Sequence, residues 1–116
     1  MGNNAVIEFK ILESNTGLLV LKGQLSNTTH DEISNAIDKL LEKKMENLII
    51  DCTKVVYITS AGVATFIAIA RELKKKGGYK TRIVKLNSEI LEVFDAVGLS
   101  KRVEYYSDVE SALKGL

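Results

Sequence analysis

Cysteine and histidine occur once each in this chain of 116 residues, and proline and tryptophan do not occur at all. A lone Cys52 excludes an internal disulfide and a zinc site built on cysteines. It closes the apolar hexamer Asn47-Leu48-Ile49-Ile50-Asp51-Cys52, with nothing adjacent to lower a thiol pKa, so a buried small hydrophobe is its expected role. A lone His30 without partners makes neither a hydrolytic triad nor a metal site. Its place in the first turn of a helix, on the polar side, predicts a solvated imidazole. Charge of one sign is also missing. Sixteen Lys and Arg against 15 Asp and Glu leave a formal charge of +1, which gives no electrostatic case for nucleic acid or an acidic membrane. No apolar run approaches the roughly 18 residues that a membrane span needs.

Other absences weigh against catalysis. No glycine-rich phosphate loop is present: Gly77-Gly78 ends a helix rather than beginning one, the wrong side for an anion. Asp51 ends a central strand, as a phosphate-accepting carboxylate would. The acidic pair needed to hold magnesium is replaced by Ser14-Asn15-Thr16-Gly17 after the first strand. Carboxylates are dispersed over helix faces, and no serine has an evident base. The expectation is a protein that is not an enzyme and needs no cofactor or metal. Met1-Gly2-Asn3-Asn4-Ala5-Val6 has no basic n-region, no apolar h-region and no myristoylation pattern, so a cytoplasmic location is expected.

What is present is the pattern of one α/β domain over residues 1–116, with 46% apolar and 27% charged residues and no repeats or linkers. Ile7, Phe9 and Ile11 alternate with Glu8, Lys10 and Glu13, a half-buried strand. Ser14 to Gly17 supplies a turn, and Leu18-Leu19-Val20-Leu21 reads as an inner strand, so the two form a hairpin. A capping box, Thr29-x-x-Glu32, opens a helix whose stripe is Ile33, Ala36, Ile37, Leu40 and Leu41 and whose end is Lys43-Lys44. The hexamer at 47–52 is the central strand. A second helix over about 61–76 buries Val63, Phe66, Ile67, Ala70 and Leu73 and ends in Lys74-Lys75-Lys76 and Gly77-Gly78. Lys80 to Val84 is a strand. Asn87-Ser88-Glu89 caps a third helix with Ile90, Leu91, Phe94 and Val97 on one side and Gly98 as its stop. Val103-Glu104-Tyr105 is a short edge strand, and Ser107-x-x-Glu110 caps a last helix to about Lys114. The order β-β-α-β-α-β-α-β-α predicts a mixed four- to five-stranded sheet: an opening antiparallel hairpin, then parallel strands joined by helices.

In such a sheet ligands gather beyond the carboxyl ends of the strands. Here those are the loop from Cys52 to Ser60, the loop from Lys85 to Ser88, and the Gly23 to Asn27 segment. The first holds Thr59-Ser60-Ala61-Gly62, two hydroxyls at a helix start, where orphan N–H groups and the dipole favour negative charge. Thr59 or Ser60 can be a simple N-cap. Two features point further. Gly62 costs about 1 kcal/mol of helix propensity relative to Ala, which a close backbone approach would repay. Ala61, Ala64, Ala68 and Ile69 form a second, small apolar strip on a helix face expected to be wet.

Three motifs in order then resemble the STAS domains, and among them the bacterial anti-sigma factor antagonists, over Leu18 to Leu113. Ile58-Thr59-Ser60-Ala61-Gly62 is similar to that family's strand followed by an Asp-Ser-Ser-Gly-like turn. Gly23-Gln24-Leu25-Ser26 matches its Gly-x-Leu-Asp, and Phe94-Asp95-Ala96-Val97-Gly98-Leu99 its Phe-Asp-x-x-Gly-Leu. The resemblance implies a STAS fold with Ser60 as the phosphorylated serine and Thr59 as a possible second acceptor. It implies an unphosphorylated form that binds an anti-sigma factor with serine kinase activity and frees the sigma factor, and a protein phosphatase that resets it. Partner contact is expected at Ser26, Asn27, Thr59, Ser60, Ala61, Gly62, Ala64, Thr65 and Ala68, on a monomer or weak dimer. The family's two loop carboxylates are Thr59 and Ser26 here. Relatives in stress-sensing scaffolds and transport complexes drift at the same positions, so an adaptor with Ser60 as a helix cap is the alternative.

Overall fold

Apolar alternation and turn chemistry meet first at the hairpin. The computed structural model describes residues 5–77, 80–98 and 103–114. In it β1 (Val6–Leu12) pairs antiparallel with β2 (Thr16–Leu25). Phe9 and Ile11 pack on the core, Glu8 and Lys10 are exposed, and the side chain of Ile7 lies outside the described residues. The turn is tighter and earlier than the sequence implies. It is a 3-10 turn over Glu13–Asn15, with Ser14 and Asn15 in the left-handed region at φ 58 and 51, and Thr16 and Gly17 already belong to β2.

The remaining elements are α1 (His30–Glu42), β3 (Asn47–Ile58), α2 (Ser60–Gly77), β4 (Lys80–Val84), α3 (Ser88–Ala96), β5 (Glu104–Tyr106) and α4 (Val109–Lys114). The sheet has five strands in the order β1-β2-β3-β4-β5. Every pair after the hairpin is parallel. Sequential parallel strands need crossovers, and crossovers of one hand stack their helices on one face. Accordingly Ile33, Ile37 and Leu40 of α1, Val63, Phe66 and Leu73 of α2, and Ile90 and Phe94 of α3 share one core with Leu19, Leu21, Leu48, Ile50 and Ile83. The other face is covered by α4, where Ala112 meets Leu18, Ile49 and Val84. There Arg82, only 2% exposed, donates to the Ala112 carbonyl, lies 3.0 Å from the Glu104 carboxylate and stacks 5.2 Å over Tyr106.

β3 is longer than the predicted hexamer. The expected loop from Cys52 to Ser60 does not exist, because the strand runs on to Ile58 and pairs with β2 as far as Leu25. Two bulges make this possible. Between Val20 and Lys22 of β2, β3 takes an extra residue, and it takes another between Gly23 and Gln24. Each insertion resets which residue faces the core, so Cys52, Val55 and Ile58 are all buried at a spacing of three. Cys52 is thus a core residue, and burial, with Asp51 beside it, pushes its thiol up, away from reactivity. Asp51 is used locally: its Oδ1 accepts from the Thr53 N–H at 3.0 Å and from the Thr53 hydroxyl.

The helix starts depart from the expected capping boxes. Thr29 does not cap α1. Its hydroxyl turns back to Ser26, accepting from the Ser26 N–H at 3.0 Å and donating to the Ser26 carbonyl at 2.9 Å, which closes a 3-10 turn over Asn27–Thr29. Glu32 is taken elsewhere, because its two oxygens accept from the N–H groups of Ala5 and Val6, each at 2.8 Å. At α4 the cap is Asp108 rather than Ser107. It accepts from the Ser111 N–H at 2.7 Å, and that bond holds its carboxyl below the usual carboxylate range. Asn87 caps α3 as expected, with the Ile90 N–H at 2.9 Å. Gly98 ends α3 at φ 79, whereas Val97 is 50% exposed and leaves the buried stripe. Gly78 and Leu99 lie outside the described residues.

Candidate functional site

α2 begins where β2 and β3 end side by side, at the paired residues Leu25 and Ile58. Thr59 is its N-cap: the hydroxyl oxygen accepts from the Gly62 N–H at 3.1 Å and its carbonyl accepts from the Val63 N–H at 2.9 Å. The Thr59 N–H is itself given to the Leu25 carbonyl at 2.9 Å. Thr59 is half-buried, and its N–H, its carbonyl and its hydroxyl oxygen each take part in a hydrogen bond. Ser60, the first helical residue, is exposed, and its hydroxyl takes no part in the capping. The cap role that the sequence left open between the two belongs to Thr59.

Gly62 explains why the Gly23–Asn27 segment lies against this helix start. A Cβ there would stand 2.6 Å from the Leu25 carbonyl oxygen, 2.7 Å from Ile58 Cγ1 and 2.9 Å from the Leu25 carbonyl carbon. No side chain fits such an approach, so glycine lets backbone meet backbone. The turn that follows Leu25 is held rigid by the Ser26–Thr29 bonds and by a 2.8 Å contact between the Ser26 and Thr28 hydroxyls. Ser26 is half-buried and Asn27 exposed.

Along α2, Ala61, Ala64 and Ala68 are exposed, one small apolar strip starting at Ser60. Ile69, expected in that strip, is instead 7% exposed and part of the core. Gly62 and Thr65 are buried. The Thr65 hydroxyl donates to the Ala61 carbonyl at 3.1 Å. With its one hydrogen committed, it can only accept from His30 Nδ1, 3.0 Å away. His30 is thus half-buried and ties α1 to α2, not a solvated side chain. Sequence reading missed this because the partner sits 35 positions away on another helix. Beyond it a groove of about 190 Å³ runs between the two helices. Ile37, Leu41, Ile69 and Leu73 are among its apolar lining, and its polar lining includes Ser34, Asp38, Glu72 and Lys76.

Carboxylates are scarce at this helix start. The first turns of α1, α3 and α4 carry Asp31 and Glu32, Glu89, and Glu110; that of α2 carries none. Among the described residues no group of three or more His, Cys, Asp or Glu could hold a metal ion, and no helix is long and apolar enough to cross a membrane.

An exposed serine, a cap that leaves its hydroxyl free and a small apolar strip lie together at the start of α2. The STAS domain family model matches residues 7–112, and the chain belongs to that family, whose members are generally binding proteins rather than enzymes. In overall fold it is similar to TM1081 of Thermotoga maritima, with a TM-score of 0.80, 18% identity, and 98% of this chain and 90% of that one covered. It is similar to SpoIIAA of Bacillus in its phosphorylated form, at 0.72 and 18% over 97% and 100% of the two chains. An anti-sigma factor antagonist from Mycobacterium paratuberculosis gives 0.73 and 17% over 98% and 96%. At these identities the likeness is one of fold. No curated protein sequence matches the chain.

Proposed function

We propose that this chain is a cytoplasmic anti-sigma factor antagonist. Its unphosphorylated form binds an anti-sigma factor that is also a serine kinase and so releases the sigma factor. Phosphorylation at Ser60 switches it off, and a protein phosphatase restores it. The observation that carries the reading is the division of labour at the start of α2: Thr59 caps the helix, and Ser60 stands exposed beside it. The same geometry favours Ser60 over Thr59 as the acceptor, since the Thr59 oxygen is half-buried and already bonded. Ser26, Asn27, Ala61, Ala64 and Ala68 surround Ser60 as the contact surface, with Gly62 and Thr65 shaping it from beneath.

The physics of the switch follows from position. A phosphate adds about −1.5 to −2 charges. At a helix N-terminus lacking a carboxylate those charges stabilise the fold by roughly 0.3–1 kcal/mol. Against an apolar partner surface the same dianion is buried without a counter-ion, at a cost of several kcal/mol. Modification therefore releases the partner without refolding the domain. The absence of refolding is supported by SpoIIAA, whose unphosphorylated and phosphorylated forms both share the fold of this chain, with TM-scores of 0.73 and 0.72.

Mass spectrometry of the protein from its native host, before and after stress, tests the reading. Phosphate on Ser60 is expected in one condition, together with an ATP-binding kinase that co-purifies only with the unmodified form. A chain never phosphorylated at Ser60 in either condition would instead support an adaptor in a larger complex.

A further inference from the structure

The large apolar side chains left exposed among the described residues fall into two pairs of opposite electrostatic surroundings. Val56 and Tyr57, at 72% and 58% exposure, lie near the end of β3. Val93, at 44%, lies on α3, and Val97, at 50%, is its C-cap. Lys22 and Lys54 are direct register partners on β2 and β3, and Gln24 pairs with Tyr57. Residues two apart on a strand share a face, so both lysines, Gln24 and Tyr57 form one patch. Like charges placed directly opposite each other destabilise a sheet. Both lysines are exposed, and neither has a carboxylate within ion-pair distance among the described residues; Lys10, by contrast, has Glu8 at 3.8 Å. On α3, positions 89, 92, 93, 96 and 97 fall at i, i+3, i+4, i+7 and i+8, one stripe. It reads Glu89, Glu92, Val93, Ala96 and Val97, all exposed, and α3 contains no Lys or Arg.

We propose that these two patches bind each other between copies of the chain, so that the protein associates head to tail. Charge complementarity selects the partner. The basic-apolar patch set against itself would oppose four lysines, and the acidic stripe against itself would oppose four glutamates. A two-fold contact through either is therefore disfavoured, and basic patch against acidic stripe is the arrangement in which both apolar pairs are covered and both charge sets matched. Strand addition at this end of β3 is discouraged by its two bulges and by Lys54, so side chains rather than backbone make the contact. A head-to-tail contact leaves one patch free at each end and grows into open chains or closes into a ring.

Analytical ultracentrifugation with charge-reversed variants tests this directly. The wild-type chain is expected to associate as concentration rises and to dissociate as salt is added. Lys22→Glu/Lys54→Glu reverses the basic patch, and Glu92→Lys/Ala96→Lys reverses the stripe. Each variant alone is expected to self-associate at least about tenfold more weakly, because its two patches now carry the same sign. Mixing the two variants, or combining all four substitutions in one chain, should restore association. Far-UV circular dichroism of each variant checks that the fold is intact. A wild-type chain that stays monomeric at every concentration overturns the proposal. So does either variant that associates as strongly as wild type, and so do folded variants that fail to recover on mixing.

Discussion

α2 and α3 begin with the same grammar. Each has a capping side chain that accepts from the third helical N–H, Thr59 from Gly62 at 3.1 Å and Asn87 from Ile90 at 2.9 Å. Each then places an exposed serine first, Ser60 or Ser88. A cap followed by a free serine therefore does not identify a switch. The difference lies in what comes next. At α3 the serine is followed by Glu89, which already complements the dipole, and by Ile90, whose side chain is buried in the core. At α2 it is followed by Ala61 and Gly62: no carboxylate, and a backbone pressed against the Leu25 carbonyl. One start is finished by its own residues. The other is left short of negative charge and sits beside a second loop.

The third position should give the largest contrast. Ile90→Ala is expected to cost about 2–5 kcal/mol, as a large-to-small change in a packed core. Gly62→Ala adds a single methyl group and gains about 1 kcal/mol of helix propensity, yet it should still lose about 1–2 kcal/mol net, because overpacking against fixed backbone outweighs that gain. Chemical denaturation of both variants measures this. A Gly62→Ala protein more stable than wild type would mean that α2 does not need its close approach to Leu25.

Partner binding comes next. On the proposed function, Ser60→Asp is expected to weaken capture of the anti-sigma kinase about a hundredfold, or about 2.7 kcal/mol, while Ser60→Ala keeps binding and blocks modification. Ser88→Asp should change nothing. If Ser60→Asp binds as tightly as wild type, or Ser88→Asp is equally defective, the two helix starts are not functionally distinct.

Caps separate the neighbours within α2 by a smaller margin. Thr59→Ala and Asn87→Ala should each cost about 1 kcal/mol. Ser60→Ala, which removes no cap, should stay within about 0.5 kcal/mol of wild type. Thermal unfolding of the three variants is enough, and an equal loss at Ser60 and Thr59 would return the cap role to both.

The element order, the hairpin, the inner position of β2 and the stripe of α1 were legible because each is a local period of two or 3.6. Gly62 was legible for a related reason: a helix interior that tolerates glycine implies a close approach. What escaped depends on contacts far apart in the chain. The two bulges of β3 need the β2 register to appear, so Val55 to Ile58 looked like the way out of a strand rather than its continuation. Thr29-x-x-Glu32 fits a capping box, but Ser26 takes the threonine and the β1 N–H groups take the glutamate. Ile69 looked like part of the outer strip and is core. His30 looked solvated because its partner, Thr65, belongs to another helix.

The smallest contrast tests the electrostatic half of the comparison without any partner. An acid near a helix start gains roughly 0.3–1 kcal/mol when that end lacks one. Ser60→Asp should therefore raise the stability of the isolated domain by that amount, the opposite sign from its effect on binding. Ser88→Asp should gain less, since Glu89 already occupies the first turn of α3 and repels a second carboxylate. Both gains should shrink in high salt, because these charges are exposed and screened. Urea denaturation at low and high ionic strength reads all four values. A Ser60→Asp domain less stable than wild type at low salt would show that the start of α2 does not accept negative charge, and a phosphate there would then act by disturbing the fold rather than by repelling the partner.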